Sequence, residues 1–123
     1  MTTSRRGRPD EILDLEAGLE RLVGINTRII ATREVPALRD ARVIYQSQEN
    51  ETWRSIAAVL EAGRGDVEDL AAWLCAELRS KGTPAHVAIK QHPRGLTCVV
   101  MVGRGSSTFE IDPVEWLRGK VSL

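Results

Sequence analysis

Thiol and imidazole side chains are the groups in this 123-residue chain best suited to covalent chemistry, and each occurs twice. A thiol hydrolase places its nucleophilic cysteine in the first turn of a helix, where the partial positive charge of the helix end stabilises thiolate. A histidine on a neighbouring strand accepts the proton, and a carboxylate orients that histidine. Cys75 and Cys98 both lie in apolar patterns, which indicates reduced, buried thiols of a cytosolic product rather than a disulfide framework. His86 and His92 have no further ligand type at metal spacing, so no metal site is expected.

The segment around residues 63–82 has the clearest pattern for positioning such a site. Asp66 is placed to cap a helix, and Asp69, three residues later, has the spacing of the second residue of a capping box. Gly82 and then Pro84 end the pattern. Apolar residues follow the cap at helical spacing: Val67, Leu70, Ala71, Leu74, Cys75 and Leu78. This spacing predicts a helix that is buried along one whole face.

The approach to this helix, Gly63–Asp66, is glycine-rich and so has the form of a phosphate cradle. It lacks the lysine and the serine of a P-loop. The carboxylates of Asp66, Glu68 and Asp69 would also repel an anion. Phosphate binding is therefore not expected.

Three strands and a short helix are predicted downstream. The strands are Ala85–Gln91, Leu96–Val102 and Thr108–Ile111, and the middle one is apolar on both faces, which is typical of a central strand. Asp112 and Pro113 then have the form of a cap and a first helical residue.

Two helices are predicted in the N-terminal half of the chain, one near its beginning and one near its end. The predicted helices are Asp10–Val23, which ends at Gly24, and Trp53–Ala62, which Thr52 caps. Between them, residues 25–46 are ambiguous, and Val43–Tyr45 fits either a short strand or the end of a helix. The whole order predicts an α+β fold, in which a buried helix packs on a small antiparallel β-meander and further helices precede it.

The helix-start motif resembles that of a known family. Residues 65–73 read G-D-V-E-D-L-A-A-W, which is similar to the G-D-C-[DE]-D-L-A-A-W pattern of bacteriophage-encoded transglutaminase-like proteins, a papain-like group whose motif cysteine is the nucleophile. Two weaker likenesses follow. Thr97–Met101 is similar to a strand that typically reads Y-H-V-V-V, and Glu110–Pro113 to a strand ending in D-P. The resemblance covers roughly Trp53–Trp116.

The resemblance implies a transglutaminase-like core within one domain, residues 10–123. It carries the nucleophile position onto Val67, the base position onto Cys98 and the orienting carboxylate onto Asp112. Valine has no ionisable group, so we expect a pseudoenzyme with no catalytic residues and no cofactor. A hairpin centred on Gly105 would place Cys98 directly opposite Asp112, with their Cβ atoms about 4.5–5.5 Å apart.

The phage setting implied by the resemblance, together with the lost chemistry, predicts a structural role. We expect a non-catalytic structural or assembly protein of a tailed bacteriophage virion, in the head, the neck or the head-to-tail connector. Its expected partners are portal, capsid or tail and neck proteins, with several copies of the chain in each particle. Its expected locations are the virion and, during assembly, the host cytoplasm.

Two alternatives stay open: an active cysteine hydrolase or acyltransferase with a relocated thiol at Cys98, and a small regulatory module that binds through the groove over Val67.

Residues 1–9 are polar, basic and rich in helix breakers, which predicts a flexible arm. Arg5, Arg6 and Arg8 could neutralise phosphates, so the arm is either a solvated tail or a contact to nucleic acid or an acidic partner. The chain as a whole carries no net charge, which gives no further argument for nucleic acid or a membrane surface. No apolar run approaches the roughly 18–20 residues of a membrane helix.

Overall fold

The computed structural model of the chain describes residues 9–47 and 52–123. In chain order, its elements are helix α1 (Pro9–Thr32), a 3-10 turn (Leu38–Asp40), strand β1 (Ile44–Tyr45), helix α2 (Ile56–Ala62), strand β2 (Arg64–Gly65), helix α3 (Val67–Ser80), strands β3 (Ala85–His92) and β4 (Gly95–Val102), a second 3-10 turn (Gly105–Ser107), strand β5 (Phe109–Ile111) and helix α4 (Pro113–Leu117). None of the described helices is both long and apolar enough to cross a membrane.

Helix α3 lies at the centre of the core. Every residue from Asp69 to Leu78 is buried, so the helix is covered on all sides rather than on the single face that the sequence predicts. Helix α1 packs on one side of it, β3 and β4 on another, and α4 with the first 3-10 turn on a third. The small side chains of Ala71, Ala72 and Ala76 allow this close approach. The predicted α+β arrangement of a buried helix on a small antiparallel meander is confirmed.

Helix α1 is longer than predicted, because it continues through Gly24 as far as Thr32. A glycine inside a helix costs only about 1 kcal/mol, and buried contacts beyond it outweigh that cost. Asn26, two residues after Gly24, is fully buried, and its side-chain oxygen accepts a hydrogen bond of 2.8 Å from the backbone N–H of Ile56. The prediction that the helix ends at Gly24 was therefore wrong.

Helix α2 begins later than predicted. The Ser55 hydroxyl, and not that of Thr52, caps the helix by accepting from the N–H of Ala58 at 3.4 Å. The chain before the cap stays extended because the backbone N–H of Arg54 donates to an Asp69 carboxylate oxygen at 2.7 Å. That long-range bond was not readable from local sequence.

The three-stranded sheet has the order β3-β4-β5 and is antiparallel throughout. Its central strand is β4, as the apolar pattern predicts. The inner face of β4 packs on α3 through Cys98, Val100 and Val102. On the outer face, an ion pair of 2.8 Å joins Lys90 of β3 to Glu110 of β5.

Residues 43–47, ambiguous in sequence, contain a short strand. Ile44 and Tyr45 pair in parallel with Arg64 and Gly65 immediately before α3. Gly65 suits this place because a Cβ there would lie 3.1 Å from the Cβ of Asp69. The pairing brings Tyr45 to the N-terminal end of α3.

Candidate functional site

The N-terminal end of α3 is fixed by a reciprocal capping box. Asp66 has extended backbone angles, and its carboxylate accepts from the N–H of Asp69 at 2.9 Å. The Asp69 carboxylate in turn accepts from the N–H of Asp66 at 3.1 Å. Two backbone donors of the first turn are thereby satisfied, which confirms the predicted cap.

Val67, the residue onto which the motif resemblance carries the nucleophile, is the first residue of α3. It is half-buried, and its backbone carbonyl oxygen accepts a hydrogen bond from the thiol of Cys98, with 3.6 Å between sulfur and oxygen. The β4 strand therefore places Cys98 directly against the first turn of the helix. The residues carried over as nucleophile and base positions do lie side by side.

Asp112, the third carried-over position, caps helix α4. Its carboxylate accepts from the N–H groups of Val114 at 2.8 Å and Glu115 at 3.3 Å. The predicted pairing of Cys98 directly opposite Asp112 was wrong, because the β4–β5 ladder has a register one residue away from it. Its last pair is Val100 with Ile111, so Asp112 follows the end of the ladder. The 3-10 turn at Gly105–Ser107 produces the shift, because it makes the connection asymmetric about Gly105.

A cleft of about 400 Å³ opens over Val67. Its polar lining consists of three carboxylates and three hydroxyls: Asp66, Glu68, Asp112, Tyr45, Ser47 and Thr97. No lysine, arginine or histidine is among the described residues that line it. The cleft is thus acidic, and its apolar lining comes from Val67, Leu96 and Val114.

The crowding of carboxylates at this helix start changes their protonation. Burial, followed by the charge of Asp66, raises the pKa of Glu68 to about 7. Burial also raises the pKa of Asp69 to about 6, although the hydrogen bond from Arg54 opposes the shift. One guanidinium nitrogen of Arg54 lies 3.7 Å from the Asp69 carboxylate. Part of this cluster is therefore protonated near neutral pH.

The thiol of Cys98 is in an environment that suppresses the thiolate. Burial, and then the negative charges of Glu68, Asp66 and Asp112, raise its pKa well above the ordinary value. Activated cysteines instead have a cationic neighbour, such as histidine, lysine or arginine, or lie in the first turn of a helix. Burial likewise raises the pKa of the Cys75 thiol to about 11.

Neither histidine of the chain is placed to accept a proton from Cys98. Cys98 pairs with Ile89 of β3, and His86 and His92 lie three residues to either side of Ile89, roughly 10 Å along the strand. Both histidines are exposed. They occupy alternate positions of β3 that face the outer side of the sheet, whereas Cys98 faces inward. Within residues 9–47 and 52–123, no three acidic, cysteine or histidine side chains form a group that could hold a metal ion.

Comparison with known proteins gives no relative. No family model, curated protein or solved structure matches this chain. The transglutaminase-like resemblance of residues 65–73 therefore stays a prediction. The positions of Val67, Cys98 and Asp112 do not depend on that resemblance.

Several residues of the site were not identified from the sequence. Tyr45 and Ser47 line the cleft because of the β1–β2 pairing, for which two residues give no periodic signal. The contact of Asp69 with Arg54 links positions on either side of α2. Arg5, Arg6 and Arg8, the predicted interaction arm, lie outside the described residues.

Proposed function

We propose that this chain is a non-catalytic structural or assembly protein of a tailed bacteriophage particle, built on a degenerate transglutaminase-like core. The environment of Cys98 is the observation that supports the proposed lack of catalysis. Its thiol donates to the carbonyl oxygen of Val67, burial and then the neighbouring carboxylates raise its pKa, and no histidine adjoins it. A cysteine hydrolase needs a thiolate and a base, and this arrangement supplies neither.

The parts of the site that do not perform chemistry support a role based on shape. The capping box of Asp66 and Asp69 is complete, and Asp112 caps α4 with two hydrogen bonds. A helix cap of this kind contributes about 1 kcal/mol to stability, which is a reason for these carboxylates to be present without catalysis. Val67 fits the same reasoning, because it packs against the edge of the core.

The virion location and the partners rest on the motif resemblance. Under this proposal the protein occupies the head, the neck or the head-to-tail connector and contacts portal, capsid or tail proteins. The test is to purify particles from the phage or prophage whose genome encodes the chain and to quantify the chain by peptide mass spectrometry. A fixed copy number per particle supports the proposal, and absence from intact particles contradicts it.

A regulatory binding module is the second candidate, and the acidic cleft over Val67 is the observation that favours it. The two candidates differ in what happens when the cleft is filled. Thr97→Trp places a large side chain in the cleft from the partly exposed rim of β4. A structural protein that uses other surfaces keeps its incorporation into particles when the cleft is filled. A regulatory module is absent from particles and loses its binding partner when the cleft is filled.

A further inference from the structure

The solvent-facing side of helix α1, called its outer face below, has regularly spaced residues that do not pack against the core. The exposed residues of this outer face form two series with an interval of seven residues, with Leu13 beside them: Asp10, Ala17 and Gly24, and Asp14, Arg21 and Arg28. Leu13 is 65% exposed, the largest exposure among the apolar side chains that the structure describes as exposed. A helix needs only its opposite side, through Leu19, Leu22 and Val23, to join the core.

The charges on the outer face are separated along the helix. Asp10 and Asp14 lie towards the N-terminus, and Arg21 and Arg28 lie towards the C-terminus. No ion pair among the described residues includes any of these four side chains. The helix dipole accounts for charges in the first and last turns only, so of these four side chains it explains Asp10 alone.

We propose that the outer face of α1 binds the same face of a second copy of this chain. The two helices are antiparallel, and the two-fold axis crosses the contact at the level of residue 19 along the helix. An axis there places Asp10 opposite Arg28 of the other copy, and it does so twice because the contact is symmetric. Leu13 then lies at the level of Gly24, on the same side of the helix pair. A parallel arrangement would instead oppose acid to acid and base to base.

Gly24 suits this contact because nothing of its own chain lies within 4 Å of where a Cβ would be. The exposed Leu13 side chain can therefore rest on bare helix backbone, which lets the helices approach closely. The overlap from residue 10 to residue 28 is about 27 Å long at the usual helical rise. A contact limited to one helix of each copy is at the small end of stable interfaces, so we expect a concentration-dependent equilibrium of monomer and dimer.

The charge pattern gives a direct test with the full chain by sedimentation equilibrium. The wild type should dimerise between about 1 μM and about 1 mM, and Asp10→Arg or Arg28→Asp alone should weaken the dimer at least about tenfold. The double variant should restore it, and so should an equimolar mixture of the two single variants. Glu61→Arg is the matched control, because Glu61 is exposed on α2, away from this face.

Circular dichroism of each variant checks that α1 remains folded. If a charge variant loses helix, Leu13→Gln serves instead, because it removes an exposed apolar contact and should also weaken the dimer. A wild type that stays monomeric to about 1 mM overturns the inference, as does a dimer insensitive to all of these changes. This inference stands on the outer face alone. Its failure leaves the proposed particle role intact, since that role is tested by the presence of the chain in particles.

Discussion

The thiol of Cys98 lies 3.6 Å from the backbone carbonyl oxygen of Val67, at the first turn of the buried helix α3. A thiol donating to a carbonyl remains a thiol, because that hydrogen bond stabilises the protonated form. The same first turn is where a thiol hydrolase would place its nucleophile, and here valine occupies it. The helix and the strand therefore meet here at a protonated thiol that has no histidine beside it.

Stability should fall as the pH rises towards neutrality. The pKa of Glu68 is raised to about 7 in the folded protein, whereas an unfolded glutamate has a pKa of about 4.3. Between those values the folded state binds more protons than the unfolded state, so the free energy of unfolding decreases with pH. We expect Glu68→Gln to flatten this dependence and to stabilise the protein at pH 7.5 by about 1–3 kcal/mol.

Urea unfolding at pH 5 and pH 7.5 measures the effect. Glu61→Gln is the matched control, because Glu61 lies exposed on α2 and should leave the pH dependence unchanged. Asp69 contributes in the same direction with a pKa of about 6. A wild type whose free energy of unfolding rises steadily from pH 5 to pH 7.5 would contradict this electrostatic description.

Val67→Asp should destabilise the protein, because it adds a fourth carboxylate to a cleft that already holds three. The side chain is half-buried rather than fully buried as its sequence position predicts, so we expect a loss of about 1–3 kcal/mol at pH 7.5. Val67→Asn has nearly the same shape without the charge and should lose less. Thermal melts of the two variants at pH 5 and pH 7.5 separate charge from packing: their difference should shrink at pH 5. Equal melting temperatures at pH 7.5 would show that the cleft carries no significant repulsion.

Deleting residues 2–8 should leave the melting temperature nearly unchanged while impairing incorporation into particles. The described part of α1 begins at Pro9, so this deletion leaves that part of the helix intact. A short polar, basic segment cannot bury enough apolar surface to contribute to the core. Differential scanning calorimetry and particle mass spectrometry measure the two quantities. A much lower melting temperature would place the segment within the fold, and normal incorporation would place the contact surface elsewhere.

Much of the C-terminal half is predictable from local sequence. The Asp66 cap, the central strand β4 and the Asp112–Pro113 start of α4 each depend on residues adjacent in the chain, and each is confirmed. Local rules were enough there because caps and strand alternation act over a few residues.

The predictions that were wrong depend on distant contacts. The continuation of α1 past Gly24 is stabilised by the bond between Asn26 and Ile56, which is thirty residues away in sequence. The late start of α2 depends on the bond from Arg54 to Asp69. In the candidate site, the three carried-over positions do converge, but a 3-10 turn that local sequence does not specify shifts the β5 register by one residue.

The absence of an activated thiol is tested most directly by the rate of iodoacetamide alkylation of the native protein at pH 7. Peptide mapping assigns the modification to Cys75 or Cys98, and the urea-unfolded chain provides the matched reference for both. Because both thiols are buried and have raised pKa values, we expect each to react at least about a hundredfold more slowly than in the unfolded chain. A Cys98 that reacts faster in the native protein than in the unfolded chain would contradict the account and favour a cysteine hydrolase with a relocated thiol.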